Sequence, residues 1–385
     1  MEWDPAHLSR AARFAAVTLI HNYIYKEIVV LTLGIIGVMT FLLVGLELFK
    51  MMELILYTDL PLWLTAKFVW LLIPFTLTLT IPTGLLAAVL IVFGRMSSDR
   101  ELLALKASGV GLAPIVAPVF IIAVVLMLFD FWLIASVNPE CRKEYNDMKH
   151  EIVTNNPLAL FTPEVVLDKI PGWRIYFSRK RGAELDDVIL WQLSPAGALM
   201  TSIRAERATI DLDLEHQQLV MTLFNEREEN YTSDGDPLKV QPGARAAQLP
   251  VGVSLNSFYE KVQRRLAWMT LPEIQEVIFT MQDAPKDNES EITPYLTELQ
   301  ARISFSLTAF TFVVVGIPLA IQTQRKETSV GAVLTLIIVA LYMIIGEVGR
   351  GLKAKTGLYP ELIIWAPNII FQAIGFWLFA RANRK

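Results

Sequence analysis

The sequence predicts an α-helical membrane protein of six transmembrane helices, three on each side of an inserted antiparallel β domain that is jelly-roll-like. Three observations predict it. The 385 residues are 54% hydrophobic and only 19% charged, and the mean hydropathy of +0.45 is well above that of a chain that must cover itself with polar surface. Six stretches lack Asp, Glu, Lys and Arg over about 20 residues, the length a helix needs to cross about 30 Å of hydrocarbon. Between the third and the fourth lies a polar insertion, Asn138 to Thr297, patterned as short strands.

The chain opens on Leu8 to Glu27, where apolar residues mix with Arg10, Arg13, His21 and Lys26, as expected of a helix lying in the interface before it turns inward. No A-x-A-like site follows the first apolar run, so no cleavable signal peptide is expected. The spans are Ile28 to Leu46, Phe68 to Phe93, Ala107 to Phe129, Ile303 to Gln324, Thr328 to Gly346 and Leu362 to Ala380. Basic residues flank them at Arg10, Arg13 and Lys26, at Arg95, Arg100 and Lys106, at Arg325 and Lys326, and at Arg381, Arg384 and Lys385. The positive-inside bias puts these segments, and with them both termini, in the cytoplasm. The other side receives a short loop near Met51 to Leu62, the long insertion, and a loop near Arg350 to Pro360 that holds Arg350, Lys353 and Lys355 against the bias. The insertion has 25 acidic and 17 basic residues, net −8, leaving 13 acidic and 17 basic, net +4, for the rest.

Within the insertion, Val165 to Ile170, Arg174 to Ser178, Val188 to Leu193, Ser202 to Leu214, Gln218 to Asn225 and Ala246 to Val253 read as strands, several with period-two alternation. Turn signals such as Pro171-Gly172, Arg181-Gly182, Pro195-Ala196-Gly197, Ser233 to Pro237 and Pro242-Gly243 separate them, which predicts a small sandwich or jelly roll outside the membrane. Leu271 to Gln282 then has helical periodicity, with Thr270 as its N-cap and Glu273 at the third position. The expected organisation is 1–137 for the interfacial helix and three spans, 138–270 for the β domain, 271–297 for a helical connector and 298–385 for the last three spans.

The composition also excludes function classes. A net charge of −4 argues against a nucleic-acid partner. Four His and a single Cys, Cys141, provide neither a disulfide framework nor a zinc cluster. No G-x-x-x-x-G-K-[ST], H-E-x-x-H or G-x-S-x-G string occurs, and the His residues are scattered, so no catalytic site is expected on this chain. Glu47, Asp130 and Glu347 fall near the outer ends of spans, where the expectation is an interfacial carboxylate.

The most informative short segment is the cytoplasmic loop Gly94 to Gly109. Ser98 is placed to cap a helix whose third position is Glu101, with Leu102, Leu105 and the Ala104 methyl as an apolar stripe and Gly109 at the end. From the residues alone the helix is either solvated packing or a plug for a partner.

The string Glu101 to Gly109, E-L-x-x-L-x-A-S-G, resembles the coupling helix of the lipopolysaccharide export ABC transporter permeases, which docks into a separate ATPase subunit. Pro74 and Pro82 in the second span are similar to that family's paired prolines. The C-terminal third adds Gly316-Ile317-Pro318-Leu319, Arg325, Gly331, Tyr342, Gly357, Pro360, Trp365, Pro367 and Asn368. With the order of spans the resemblance covers nearly the whole chain, the β insertion matching by position and length only.

The resemblance implies an inner-membrane subunit of a Gram-negative-type bacterium, paired with a related permease above a dimer of ABC ATPases. Lipopolysaccharide would enter from the membrane into a cavity between the two permeases and pass to periplasmic β-jelly-roll bridge proteins. ATP would bind the partner ATPase and no cofactor this chain. Glu101 would couple to the ATPase, with Arg100 beside it and Leu102 and Leu105 as apolar contacts in a coupling helix over 97–108. Lys50, Lys67, Arg350 and Lys353 would meet anionic lipid near the outer leaflet, the alternative being ordinary snorkelling to head groups. Glu47 departs from the family, which often has a basic residue there, and with Glu347 is carried as an unassigned gate or charge position. The first and fifth spans would form the lateral gate, where Gly346, Gly349 and Gly351 allow close helix approach or a bend. In the β domain Val188, Ile189, Leu190 and Trp191 would line an acyl-chain slot or form an ordinary core.

Other readings remain beside this one. An ion-coupled secondary transporter predicts a midspan carboxylate or His and inverted repeats with broken helices, which the sequence lacks. A membrane-anchored scaffold gives no reason for a capped amphipathic helix in the cytoplasm. An ABC permease for another lipid or a lipoprotein fits the same residues.

Overall fold

The computed structural model describes residues 5–58, 61–155, 166, 172–194, 199–213, 218–231, 237–242, 246–251, 266–282, 289–323, 328–351 and 360–384. They divide into two units, one of Met1–Leu48, Ala66–Glu144 and Leu266–Lys385, the other of Phe49–Thr65 and Tyr145–Arg265. The helices are α1 (Pro5–Thr58), α2 (Leu62–Ser98), α3 (Glu101–Ala107), α4 (Leu112–Trp132), α5 (Asn138–Asn155), α6 (Leu271–Gln282), α7 (Glu289–Ser306), α8 (Thr308–Thr323), α9 (Thr328–Gly351), α10 (Pro360–Ile363) and α11 (Ala366–Arg384). A π-helical turn, Leu133–Val137, joins α4 to α5.

Among the described residues four helical stretches are long and apolar enough to cross a membrane: Leu19–Phe49, Leu62–Ser98, Leu112–Lys149 and Gly331–Gly349. The pair Ile292–Ser306 and Thr308–Gln322, bent by 42° at its break, makes a fifth if taken as one span. The expected sixth span, Leu362 to Ala380, falls on α10 and α11. A turn at Ile364 and Trp365 divides it, and Asn368, Gln372 and Arg381 dilute its apolar content, so it does not meet the same standard. The expected interfacial helix is not separate, because α1 runs unbroken from Pro5 to Thr58. The third span does not stop at Phe129 either, since helix continues through the π turn to Asn155.

The long helices differ in how far they are covered. Of the apolar window of α2, 78% is buried, against 22% for α1, 39% for the α4 stretch and 11% for α9. The core of this unit is therefore built on α2, where Leu85, Leu86, Val89 and Phe93 pack with Ile24 and Ile28 of α1, Ile115 and Val119 of α4, and Phe312 and Val313 of α8. Pro74 and Pro82 each remove a backbone donor from α2. Threonine hydroxyls along the same helix bond its carbonyls, Thr76 donating to Ile73 O at 2.9 Å, Thr78 to Phe75 O at 2.8 Å and Thr83 to Leu79 O at 2.8 Å.

Small residues set the helix crossings. A Cβ on Gly375 of α11 would stand 2.6 Å from the Val314 carbonyl oxygen of α8, and one on Gly84 of α2 would stand 2.8 Å from Ile36 of α1. Of the three glycines expected to permit close approach near the end of the fifth span, Gly349 does so, its Cβ position lying 3.3 Å from Ile364 N. Among the described residues, Gly346 and Gly351 face nothing within 4 Å.

The second unit holds one antiparallel sheet: β1 (Trp173–Tyr176), β2 (Arg179–Arg181), β3 (Glu184–Leu193), β4 (Leu199–Asp213), β5 (Gln218–Tyr231), β6 (Pro237–Pro242) and β7 (Ala246–Val251). It is five positions wide, because β1 and β2 share one edge of β3 while β6 and β7 share one edge of β5. The second sheet of a sandwich or jelly roll is not among the described residues, and the expected strand Val165 to Ile170 lies outside them except for Val166.

Three polar residues line up across β3, β4 and β5. Asp187 on β3 and Asn225 on β5 both have φ 54°, a left-handed conformation that Asp and Asn tolerate better than other side chains. Register places Glu206 of β4 between them, skipped by both ladders, and Asn225 Nδ2 donates to Glu206 Oε2 at 2.9 Å. Across this line the buried positions slip in parity, from Leu185 to Val188 on β3 and from Ala205 to Ala208 on β4. Residues on both sides nevertheless belong to one core, with Ile175, Phe177 and Leu190 on one flank and Ile210, Met221 and Leu223 on the other.

The crossing at Gly375 is directly testable. Gly375→Ala presses a methyl on backbone that cannot rotate away, and is expected to cost about 1–3 kcal/mol and lower the melting temperature of the detergent-purified full-length chain. Gly346→Ala, which opens on free space, is expected to leave it unchanged or slightly higher.

Candidate functional site

The cytoplasmic loop is built by a break between α2 and α3. Helix α2 continues through Ser98, so Ser98 is not the N-cap that the sequence suggests; its hydroxyl points to Asp99 Oδ1 at 3.4 Å. The chain reverses at Arg100, in the left-handed region at φ 61°, and Ala104 N donates to Arg100 O at 3.0 Å to start α3. The C-terminal end follows the sequence reading: Gly109, at φ 82°, donates to Lys106 O at 3.0 Å and Val110 N to Leu105 O at 3.1 Å, a Schellman closure.

The phase of α3 departs from the expectation. Leu102 is 4% exposed and lies in the core with Phe93, Leu112 and Ile115, and half-buried Leu105 packs against that core. Leu102 is therefore unavailable to a partner, and this corrects its assignment as a docking contact. The face left open carries Arg100, Leu103, Ala104 and Ala107, with Leu103 64% exposed and Glu101 half-buried at its edge.

Behind this loop, Arg95 in the last turn of α2 forms an ion pair with Glu27 of α1 and donates from Nη2 to Tyr23 OH at 2.8 Å. Ser97 Oγ donates to Ile321 O at 2.8 Å, fixing the end of α2 to α8. Sequence reasoning used Arg95 only as an orientation marker, since nothing local links it to residues about 70 positions earlier.

A second polar cluster sits where α7 breaks into α8. Asn368 Nδ2 donates to Ser304 O at 2.7 Å and Ser304 Oγ at 2.9 Å; its Oδ1 accepts from Thr311 at 2.7 Å and from Tyr342 OH at 3.3 Å. Thr308 Oγ1 donates to Tyr342 OH at 2.8 Å, and Gln372 Nε2 to Thr311 Oγ1 at 2.9 Å. Trp365 Nε1 donates to Gln300 Oε1 at 3.0 Å. Tyr342, Trp365 and Asn368 of the C-terminal string thus serve this cluster or its border.

Of the residues expected to meet lipid, Lys67 pairs with Glu144 at 2.6 Å, both about half exposed, and next to it the Arg142 guanidinium lies 4.0 Å over the Phe75 ring. So exposed a pair is weak enough to exchange for another anion. Lys50 and Arg350 are placed in α1 and α9 with their side chains outside what is described, and Lys353 lies outside the described residues. Glu47 is half-buried and Glu347 exposed. Asp130 is 0% exposed in α4, and neither carboxyl oxygen has a hydrogen-bond partner among the described residues. The span was ended at Phe129 because Asp130 is charged, whereas the helix runs on past it. Val188 and Leu190 are fully buried in the sheet's core, while Ile189 and Trp191 are half-buried on the other face. Among the described residues no group of three or more His, Cys, Asp or Glu side chains is placed to hold a metal ion.

Replacing the amide at the centre of the second cluster measures its weight. Asn368→Leu takes away the acceptor of the Thr311 and Tyr342 hydroxyls and is expected to cost about 1–3 kcal/mol for each group left without a partner, while the Ser304 hydroxyl keeps its bond to Ile364 O. Tyr342→Phe, which removes one donor, is expected to lower the melting temperature less.

Among curated proteins none matches the chain. A family model does: that of the lipopolysaccharide export system permease LptF/LptG, over residues 22–381. The match takes in α3 with its open face, the hydroxyl cluster around Asn368 and the inserted sheet, and the chain belongs to the LptF/LptG family of lipopolysaccharide export permeases.

Proposed function

We propose that this chain is a transmembrane permease subunit of an ABC transporter that extracts lipopolysaccharide from the inner membrane and hands it to a periplasmic β-jelly-roll bridge. Its partners are a related permease, a cytoplasmic ATPase dimer that binds the ATP, and the bridge proteins. The chain crosses the inner membrane six times with both termini in the cytoplasm, α11 being the sixth span where it packs on α8. Residues 1–137 and 298–385 form the membrane part, 138–270 the periplasmic β domain and 271–297 its helical connector.

The observation that carries this reading is the family match over residues 22–381 together with an α3 whose open face bears a large apolar side chain. A single exposed Leu is ordinary on any surface, so Leu103 supports the reading only by its place on the short helix that the family match includes. Leu103 therefore takes the role first given to Leu102, Glu101 and Arg100 provide the charges at the rim, and Leu105 braces the helix from within. Closure of the ATPase dimer moves α3, and the motion is passed to the lipid-facing helices. At the outer leaflet Lys50, Lys67, Arg350 and Lys353 hold the phosphorylated head group, Lys67 by exchanging Glu144 for a phosphate, with Glu47 and Glu347 beside that site.

Co-purification with the ATPase and the paired permease tests the assignment. Glu101→Ala and Leu103→Asp are each expected to lower recovery of the ATPase at least about tenfold, the loss of 1.4 kcal/mol or more of docking energy. Leu102→Ala is expected instead to destabilise the permease by about 2–5 kcal/mol through a core cavity. Unchanged recovery for both Glu101→Ala and Leu103→Asp would remove α3 as the docking element. The rigorously purified chain alone is expected to hydrolyse no ATP, and photo-crosslinkers beside Lys50 and Arg350 to trap lipopolysaccharide in preference to positions on the opposite helix faces.

A further inference from the structure

Two prolines four residues apart leave a carbonyl over at the start of α4. Pro114 lies in the first turn, where a missing N–H removes no intrahelical bond, but Pro118 lies further in. In an α-helix the N–H of residue 118 would bond the carbonyl of residue 114. Pro118 has no N–H, so Pro114 O is deprived of that donor. A replacement comes from another helix: His21 Nε2 of α1 stands 2.7 Å from Pro114 O. A carbonyl can only accept, so the imidazole carries a proton on Nε2 and donates it to the bond.

This bond falls where α3 joins the membrane unit. Only Ser108 to Gly111 separate α3 from α4, and the backbone bonds from Gly109 to Lys106 O and from Val110 to Leu105 O close that turn. Leu102 of α3 is buried in the same core as Leu112 and Ile115, which flank Pro114 in the first turn of α4, and Leu105 and Val110 pack against it. Helix α3, its closing turn and the first turn of α4 therefore form one packed block. Ile24 of α1, one turn beyond His21, enters the same core. On another side α1 is tied to α2, by Glu27 with Arg95, by Ile36 against Gly84, and by the 3.0 Å hydrogen bond between Thr40 and Thr80. With 22% of its apolar window buried, α1 is placed by contacts of this kind more than by its coverage.

We infer that His21 is a positioning residue through which the block of α3 and the first turn of α4 sets the place of α1. This rests on the reading that α3 docks on the ATPase, and it names the route by which a movement of α3 reaches α1. A shift of α3 carries Leu102, and the short closing turn carries the first turn of α4 with it. Pro114 O moves with that turn, and α1 follows through the Nε2–H···O bond. Pro118 keeps the carbonyl available, because any other residue there would offer it a donor from within α4. His21 and Pro118 thus act through one oxygen, although 97 positions separate them in the chain. Coupling of this kind is reciprocal, so the place of α1 is also felt at the docked helix.

The test uses the assembled complex of the chain, its paired permease and its ATPase, in nanodiscs of phospholipid with or without lipopolysaccharide. His21→Phe, which keeps a ring and removes the donor, is expected to leave recovery of the complex and ATP turnover without lipopolysaccharide within about twofold of wild type. The lipopolysaccharide-dependent change in turnover is expected to fall at least about threefold, a change that one net hydrogen bond can supply. His21→Gln, whose amide brings an N–H to a similar reach, is expected to restore most of it. Pro118→Ala returns a helical donor to Pro114 O and is expected to lower the response in the same direction, with His21→Phe added to Pro118→Ala lowering it no further. Spin labels at exposed Leu33 of α1 and Trp70 of α2 are expected to report a nucleotide-dependent distance change in wild type and His21→Gln that shrinks in His21→Phe. An undiminished lipopolysaccharide response in His21→Phe overturns the inference. Additive losses from His21→Phe and Pro118→Ala overturn it too, since the two residues would then not share one carbonyl. Loss of the complex in His21→Phe, matching Glu101→Ala, also overturns it, because the bond would then only support the fold or the docking. Failure of the wild-type chain to recover any ATPase sinks the docking reading and the inference with it, a result no variant can imitate.

Discussion

Hydrocarbon offers a polar group no water, so each one carried into a helical membrane unit has to find its partner within the protein. Asn368 is where this chain meets that constraint most fully. Both ends of its amide are engaged, two donor bonds to Ser304 and two acceptor bonds from Thr311 and Tyr342. Those partners lie on α7, α8 and α9, and the cluster spans the break between Ser306 and Thr308 where the backbone turns by 42°. A bent helix pair in lipid is stable only if the groups freed at the bend are answered, and here the hydroxyls of Ser304, Ser306 and Thr308 do so by bonding nearby carbonyls or one another's partners. In α2, too, the threonine hydroxyls are satisfied within the protein, by carbonyls of their own helix.

This explains which parts of the fold could be read in the sequence. Hydropathy alone locates the apolar runs, because length and composition decide whether a helix can sit in a bilayer. The capping box at Thr270 was equally legible, and Thr270 N does donate to Glu273 Oε2 at 2.7 Å, since both partners lie within four residues. Helix ends were not legible where a charge was taken as the boundary. Asp130 closed the third span on paper, yet the helix passes it and buries it. Helix α3 is too short for periodicity to fix its phase: over seven residues, Leu102 with Leu105 and Leu103 with Ala107 are equally good stripes, and only the packing of Leu102 on Phe93 decides. The Arg95 cluster and the Asn368 cluster join residues tens of positions apart, and no local pattern announces them.

The sheet shows the same division between local and non-local information. Alternation revealed β3, β4 and β5, while β6 escaped because prolines bound it at Pro237 and Pro242. Proline is tolerated there because β6 pairs only with β5 and lies at the sheet's edge. The fold line through Asp187, Glu206 and Asn225 appears in the sequence only as a slip in alternation within each strand, easily taken for a weak strand. Aligned across three strands it is one feature, with buried positions of the same core on both of its flanks.

Coverage and polar pairing together decide which parts of the membrane unit can move. Between two apolar helices in lipid there is little hydrophobic drive to associate, because lipid tails receive a Leu or Val face as readily as protein does. Helices α1 and α9, with 22% and 11% of their apolar windows buried, are therefore not held by the exposed faces they present. They are held where polar or close-packed contacts occur: α9 at Tyr342 and Gly349, α1 at Arg95, Gly84 and Thr80. A helix fixed at such separate points can swing about one of them when another is weakened, and the energy involved is that of a hydrogen bond or an ion pair rather than of a core. Helix α2, covered along most of its length and pinned at Ser97, has no such freedom. The contrast in coverage separates α2 from α1 and α9.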